Sequence, residues 1–367
     1  MALPSPPRHP PAAPGGPAPV PRRGAELMHQ AREGHTATLL EDGRVLVAGG
    51  FSEAEGFLAG AEIYDPRARS WSRAAPLRDA RTGHTATLLE DGSVLVAGGA
   101  AEGGSLGTAE AYEPCRDRWT RRAPLTVSRT LHTAVRLRGG AVLCAGGAEL
   151  HAMPPLRLAS AEIYDPALDL WSRAPSMLAA RATHTATLVG HDAVLVAGGD
   201  TGGDPRWSAE VYALGMDGWR SALGAVGVPA RHSATRLADG SALLAGGGSR
   251  GAVATAWRYL PVRRALVAQP EMPRRRRRHT GTLLEDGRVL VAGGWSAAGQ
   301  ALATAEIFDP RAGCWIPAGI TGARAAHTAT RLPGGGVLLA GGLTRWGERR
   351  CTLASVEIFR AREDLPE

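Results

Sequence analysis

Short apolar runs recur in pairs along the chain, and a small polar turn separates the two runs of each pair. In the first copy, residues 36–40 and 45–48 flank the sequence Glu41-Asp42-Gly43-Arg44. Runs of this length that alternate in polarity, or are rich in Val and Leu, are typical of β-strands. Because Asp-Gly readily adopts the positive φ angles of a two-residue type I′ turn, each pair predicts a β-hairpin. We call its strands a and b.

This hairpin occurs seven times, at intervals of 47 to 52 residues, and two landmarks frame it. In every copy a Gly-Gly pair begins 14 residues after a histidine. The histidines are His35, His84, His132, His184, His232, His279 and His327. A regular period of roughly this length indicates a repeat architecture, in which each copy is one structural unit.

Two further strands complete each copy. Strand c begins AEIYDP in the first copy, and strand d follows a turn at Asp65-Pro66, where proline fixes φ. A Glu of strand c precedes a Trp of strand d by nine residues in five copies. The Glu residues are Glu62, Glu110, Glu162, Glu210, Glu306 and Glu357; the Trp residues are Trp71, Trp119, Trp171, Trp219 and Trp315. Seven copies of four short strands predict an all-β, seven-bladed β-propeller of four-stranded antiparallel blades around a channel.

Three features of this repeat resemble the kelch family: the Gly-Gly pair that closes strand b, an aromatic residue two positions after the Glu, and the spaced Trp. The aromatic residues are Tyr64, Tyr112, Tyr164, Tyr212 and Phe308. The resemblance extends over residues 25–360 and implies the propeller fold of that family. It leaves function open, since propellers host many unrelated activities.

The seventh copy ends after strand c, without a Trp or a strand d. We therefore predict that residues 20–28 supply the outer strand of blade seven, with Leu27 and Met28 placed as Leu77 is in blade one. The propeller is then expected to span residues 20–362. Residues 1–19, rich in Pro and Ala, are expected to form a disordered tail, and residues 363–367 a C-terminal tail.

Composition narrows the functional classes. The formal net charge is +7, and every one of the 42 Lys and Arg residues is Arg. No apolar run approaches the roughly 20 residues of a membrane-spanning helix, so no membrane partner is expected. The sequence shows no signal peptide, which predicts a cytoplasmic protein, or an extracellular one if the start codon is misassigned. Four scattered Cys residues favour neither a metal site nor a disulfide framework, and no cofactor is expected.

Length variation between the copies is confined to the b–c loop. In an up-and-down blade the b–c loops and d–a connections leave the same rim, so together they predict one ligand-binding face. Arg, Trp and other aromatic side chains are common anchors of binding surfaces. The candidates in these loops are Arg206, Trp207, Trp295, Arg345 and Trp346. A protein, peptide or glycan partner is expected, and nucleic acid is not.

An arginine lies three residues before the histidine in six copies. These residues are Arg32, Arg81, Arg129, Arg181, Arg276 and Arg324. Two interpretations stay open: the arginines bind an acidic ligand at the channel mouth, or each pairs with a strand-c Glu. Blade five lacks both partners, because Trp257 occupies the Glu position and Arg231 has moved next to the histidine. This joint departure favours pairing.

The sequence supports two functional hypotheses. The first is a binding module that recognises an acidic peptide or glycan on the loop face. The alternative is a carbohydrate mutarotase or isomerase acting on an acidic sugar, with Arg181, Arg206, His151 and Glu149 as its candidate residues. Some kelch propellers are copper oxidases, but copper chemistry is not expected here. The seven repeated histidines are expected to serve packing and hydrogen bonding, because seven ligands spread over a ring exceed the needs of any metal ion.

Overall fold

The computed structural model describes residues 27–202, 209–224, 227–249, 251–320, 322–347 and 349–361. These residues form β-strands and no helix, so no helix in this part of the chain could cross a membrane. The strands form seven antiparallel blade sheets, one per repeat, and four small two-stranded sheets. Strands a of neighbouring sheets contact each other around a closed ring, which includes the first and the last. The predicted seven-bladed β-propeller is therefore confirmed.

Each blade runs outward from strand a at the channel to strand d at the periphery. Strands a are Thr36–Leu39, Thr85–Leu88, Thr133–Arg136, Thr185–Val189, Ser233–Arg236, Thr280–Leu283 and Thr328–Arg331. Strands b are Val45–Ala48, Val94–Ala97, Val142–Ala145, Ala193–Ala197, Ala242–Ala245, Val289–Ala292 and Val337–Ala340. Strands c are Ala61–Asp65, Ala109–Glu113, Ala161–Asp165, Ala209–Ala213, Ala256–Leu260, Thr304–Asp309 and Val356–Phe359. Strands d are Ser70–Ala74, Arg118–Arg122, Leu170–Ala174, Arg220–Ser221, Ala265–Gln269 and Cys314–Gly319.

Four b–c loops carry a small hairpin of their own. Their strand pairs are Phe51–Ser52 with Gly56–Phe57, Ala100–Ala101 with Gly104–Ser105, Ala148–Glu149 with Leu156–Arg157, and Leu343–Trp346 with Arg349–Thr352. The extra length of these loops therefore forms ordered projections above the blades.

The hydrophobic core lies between adjacent blades. In strand b of blade one, Leu46 packs toward blade two, whereas Val45 and Val47 pack toward blade seven. Both faces of a blade are thus covered, which explains why strand b is apolar throughout rather than alternating. Cross-strand aromatic pairs extend the core outward, as in Tyr112 and Trp119, whose ring centroids are 5.1 Å apart.

The a–b turn differs from the predicted two-residue type I′ turn. In blade one the loop has three residues, 41–43: the Leu40 N–H donates to the Arg44 carbonyl and the Gly43 N–H to the Leu40 carbonyl. Only Gly43, at φ 88°, is left-handed, and the Asp42 carboxylate accepts the Arg44 N–H at 3.0 Å. A type I turn followed by a left-handed glycine therefore closes the hairpin. The type I′ prediction was wrong because the Asp caps the turn instead of adopting a positive φ.

The start of the described chain contacts its last blade. Leu27 forms an antiparallel bridge with Ser355, and the Met28 N–H donates to the Ala354 carbonyl at 2.9 Å. Met28 is buried between blades seven and one, in the place that Leu77 takes between blades one and two.

Blade seven has strands a, b and c in the described part of the chain. Residues 20–26, most of the predicted outer strand, lie outside the described residues, as do the predicted tails at 1–19 and 363–367. Closure of the ring by the N-terminal segment stays a prediction.

Candidate ligand-binding face

The d–a segments and the b–c loops lie on one face of the propeller. In six of the seven blades a backbone bridge joins the d–a segment to the b–c loop that follows it, as between Thr82 and Ala100 and between Ala325 and Leu343. The a–b and c–d turns leave the opposite rim. We call the first of these surfaces the loop face.

The six repeated arginines lie inside the blades, and Arg129 shows their contacts. Its Nη1 donates to the carbonyls of Gly146 at 2.8 Å and Ser160 at 3.0 Å, and its Nη2 donates to Glu162 Oε1 at 2.7 Å. The second oxygen of Glu162 accepts the backbone N–H of Thr126 in the d–a segment. One buried ion pair thus fastens strand c, the end of strand b and the incoming connection.

The same arrangement recurs in the other five blades that carry the arginine. The pairs are Arg32–Glu62, Arg81–Glu110, Arg181–Glu210, Arg276–Glu306 and, with a longer separation of 3.9 Å, Arg324–Glu357. The arginine side chains are at most 2% exposed. The sequence left two interpretations open, and this geometry supports the one in which each arginine pairs with a strand-c Glu. These guanidinium groups face carboxylates of their own blade and not a ligand.

The Gly-Gly pair is explained by the same contacts. Gly146 and Gly147 have φ angles of 64° and 101°, which side chains rarely adopt. A Cβ on Gly147 would lie 2.7 Å from the Thr130 carbonyl oxygen. Only glycine therefore lets the end of strand b approach the d–a segment and present its carbonyl to the arginine.

The seven histidines form a ring of hydrogen bonds between blades. Nε2 of His84 lies 3.0 Å from the Thr36 hydroxyl of the preceding blade, and the series ends where His35 meets Thr328 at 3.1 Å, joining the first blade to the last. Burial lowers the pKa of His35, His84, His184 and His279 to about 3 and that of His232 to about 4. The ring histidines are therefore uncharged at neutral pH, and their hydrogen bonds connect neighbouring blades.

The residue before each of these histidines forms a collar around the channel mouth. The collar residues are Gly34, Gly83, Leu131, Thr183, Arg231, Arg278 and Ala326, and all have φ angles between 52° and 62°. Six backbone hydrogen bonds link neighbours, each N–H donating to the carbonyl of the preceding blade, as from Arg278 to Arg231 at 3.0 Å. Five side chains are thus held in left-handed backbone at one opening, and two of them are arginines.

Four arginines of blades five to seven gather at this opening: Arg231, Arg277, Arg278 and Arg350, which we call the mouth cluster. Burial, followed by the positive charges of Arg231 and Arg350, lowers the pKa of Arg277. Burial and Arg231 do the same to the pKa of Arg278. The Arg278 backbone N–H donates to the Arg231 carbonyl at 3.0 Å, so these two residues of the mouth cluster are direct neighbours on the collar.

One carboxylate in the described part of the chain pairs with the mouth cluster. Glu33 Oε2 lies 3.7 Å from Arg278 Nη1. Partial burial raises the pKa of Glu33, while Arg278 and Arg350 act in the opposite direction. The Nε–H groups of Arg231 and Arg277 are buried without a hydrogen-bond acceptor among the described residues. The mouth cluster therefore carries more donors and positive charge than its protein neighbours use.

The loop residues singled out from the sequence fall into different positions. Trp295 is only 7% exposed and packs against Ala325 and Leu343, so it supports the loops instead of presenting its ring to a ligand. Arg345 is exposed and lies over that ring, 5.9 Å from its centroid. Arg206 and Trp207 lie outside the described residues, and Trp346 is described only by its place in a b–c hairpin.

Of the four residues of the enzymatic alternative, Arg206 lies outside the described residues, and the other three do not converge. His151 Nδ1 lies 2.5 Å from Glu149 Oε1 on the b–c hairpin of blade three, with the Ser105 hydroxyl of blade two 3.1 Å from the same oxygen. Arg181 is fully buried against Glu210 and cannot hold a sugar carboxylate. The described residues thus bring together an exposed His151 and a partly buried Glu149, without Arg181.

No group of three His, Cys, Asp or Glu side chains in the described ranges could hold a metal ion. The ring histidines direct Nε2 at hydroxyl groups, and the Tyr112 hydroxyl, fully buried, donates to Asp117 at 2.8 Å while Cys115 is exposed. These residues do not fit a copper centre.

Comparisons with known proteins agree with the architecture. A Kelch motif model matches residues 42–78 and 276–319. A structure described as a novel fungal alcohol oxidase of the AA5 family, in complex with copper, aligns over 92% of this chain and 77% of its own, with a TM-score of 0.71 and 18% identity. The structure of YjhT aligns over 77% of this chain and 96% of its own, with a TM-score of 0.59 and 15% identity.

No curated protein matches the chain in sequence. At such low identities the structural likeness concerns the fold alone. The chain is a seven-bladed β-propeller, and segments of two of its repeats, residues 42–78 and 276–319, match the Kelch motif.

Proposed function

We propose that this protein is a binding module whose loop face recognises an acidic ligand, a peptide or a glycan, at the channel mouth. The observation that carries the proposal is the mouth cluster, in which four arginines have one paired carboxylate, Glu33, among the described residues. Arginine presents a planar fork of donors that suits carboxylates and phosphates, and it is more weakly hydrated than lysine.

The position of the mouth cluster strengthens its attraction for anions. Arg231 and Arg278 belong to the hydrogen-bonded collar, so their backbone is fixed by both neighbouring blades. A preorganised cation loses little conformational entropy on binding. Like charges gathered over a low-dielectric surface also focus positive potential and speed the encounter with acidic partners.

Titration calorimetry of purified protein against an acidic peptide and an oligouronate, at low and high salt, tests the proposal. We expect one of the two to bind, with an affinity that falls as ionic strength rises. Arg278→Ala should weaken binding about tenfold, as expected for the loss of one charged contact. Arg311→Ala is the control, since it removes an arginine charge from blade six on the opposite face.

Two results would count against the proposal. If Arg311→Ala weakens binding as much as Arg278→Ala, the attraction is a property of net charge and not of the mouth. If neither ligand binds the unaltered protein at low salt, the loop face is not an anion-recognition surface.

The sugar mutarotase or isomerase remains the second candidate, on the strength of the contact between His151 and Glu149. A carboxylate at Nδ1 holds the imidazole in one tautomer and leaves Nε2 as a possible base. NMR of uronic and sialic acids would detect exchange between anomers above the uncatalysed rate. His151→Gln should abolish that exchange; equal rates in both proteins would remove the His–Glu pair from consideration.

A further inference from the structure

A groove opens on the loop face beside the b–c hairpin of blade one. It encloses about 770 Å³ and is lined by Phe51, Phe57 and, from blade two, Leu106 and Thr108. This volume falls in the range of sites that bury a peptide side chain or a small ligand, which is roughly 300–1,000 Å³.

Two phenylalanines form one wall of the groove. Phe51 and Phe57 face each other across the hairpin, with ring centroids 5.4 Å apart and planes at 78°. Both are half-buried, so each keeps apolar surface in contact with solvent.

The fold does not require an aromatic residue at either position. The equivalent cross-strand partners are Ala100 and Ser105 in blade two, and Ala148 and Arg157 in blade three. In blade seven they are Leu343 and Thr352. The place of Phe57 is thus polar in all three other hairpins, which makes its apolar surface a feature of this groove and not of the repeat.

Glu33 links the groove to the mouth cluster. Glu33 and Phe51 exchange backbone hydrogen bonds at 2.8 and 2.9 Å, and the Glu33 carboxylate lies 3.7 Å from Arg278. A ligand that contacts both Phe51 and Arg278 therefore spans the segment at Glu33.

We propose that the ligand is a peptide that places an acidic group on the mouth cluster and a neighbouring aromatic side chain in the groove of Phe51 and Phe57. The inference rests on the proposed function and selects one of its two ligand classes. The phenylalanines and Leu106 offer no hydrogen bonds, so sugar hydroxyls buried there would lose their water without compensation. An aromatic side chain has no hydroxyl groups that would lose their water there, and it gains an edge-to-face contact with the phenylalanines.

Polar groups on the groove's rim suit a peptide backbone. Glu55, Asp79 and Glu102 supply acceptors, and Arg78 and Arg121 supply donors. These polar residues line the same groove as the apolar wall, and an extended peptide requires both kinds of contact for its backbone and its side chains.

Fluorescence anisotropy with two labelled peptides of equal charge tests the inference. Both carry the same acidic residues, and one has Phe where the other has Ala. We expect the Phe peptide to bind the unaltered protein about tenfold more tightly, which corresponds to burial of part of one aromatic ring. Phe57→Ser should reduce that preference to about twofold or less and leave the Ala peptide unaffected. Serine already occupies the equivalent position in blade two, so the hairpin accommodates it.

Leu156→Ser in the hairpin of blade three is the control, because it removes an exposed apolar side chain from the same face and should change neither affinity. If both peptides bind equally and Phe57→Ser has no effect, the inference is overturned while the proposed function stands. If neither peptide binds, the peptide form of the proposed function fails together with the inference. If an oligouronate binds and loses affinity in Phe57→Ser, the ligand class is a glycan and the inference is likewise overturned.

Discussion

Arg276, Arg277 and Arg278 follow one another in the chain, yet the first belongs to the interior of a blade and the other two to the loop face. Arg276 is fully buried, where it donates to the Thr304 carbonyl at 3.0 Å and forms an ion pair with Glu306. Arg278 is 36% exposed and has one carboxylate at 3.7 Å. The comparison teaches that arginine content alone identifies no site: what matters is whether the protein already satisfies the guanidinium.

The largest effect is expected when one of the buried arginines is removed. Arg129→Ala leaves Glu162 buried without its cation, which should lower the free energy of unfolding by about 3–5 kcal/mol. Urea denaturation followed by fluorescence measures the change. A loss below about 1 kcal/mol, combined with weaker binding of an acidic peptide, would instead assign the repeated arginines to ligand recognition.

Acid titration extends the comparison to a second kind of buried basic group, the histidines of the ring. The ring histidines have hydroxyl partners in place of carboxylates, and their pKa values in the folded protein lie below the ordinary 6.5, at about 3 for His184. Between these two pH values the unfolded chain binds more protons, so stability should fall as the pH drops below about 6.5. Each ring histidine contributes at most about 1.4 kcal/mol per pH unit.

His184→Gln isolates one of these contributions. The variant should lose some stability at pH 7 and show a shallower decline between pH 6.5 and pH 5, as measured by urea midpoints across that range. An unchanged slope would mean that His184 titrates normally in the folded protein and is not held neutral by burial.

The smallest effect on stability is expected at the mouth. Arg278→Ala should change the free energy of unfolding by less than about 1 kcal/mol, because a partly exposed pair at this distance contributes little. Thermal melts beside Arg311→Ala measure it. A loss as large as that of Arg129→Ala would place Arg278 with the structural arginines and remove the basis for an anion site at the mouth.

Much of the fold could be predicted because periodic landmarks repeat wherever the backbone requires them. The joint loss of Arg and Glu in blade five even indicated the buried ion pair, which the contacts of Arg129 and Glu162 illustrate. The a–b turn was mispredicted since dipeptide preference cannot show that Asp42 accepts a hydrogen bond from Arg44. Trp295 could not be placed because burial of a loop residue depends on the neighbouring blade.

The assembly of the mouth cluster into one group could not be predicted from the sequence for a related reason. Arg231, Arg278 and Arg350 come from three blades, and only the ring geometry brings them together. One signal was available: Arg231 and Arg278 both directly precede the repeated histidine, where other copies have Gly, Leu, Thr or Ala. That shared position is the collar, and its residues face the channel mouth.

The hydrogen bond between His35 and Thr328 can form only late in the synthesis of the chain. Its two residues are separated by 293 positions, so at 5–20 residues per second the ribosome needs about 15 to 60 s to supply the second after the first. Throughout that interval the inner edge of blade one has no neighbour on one side. The propeller therefore assembles correctly only if this exposed edge of blade one does not associate with other chains before the last blade has been synthesised.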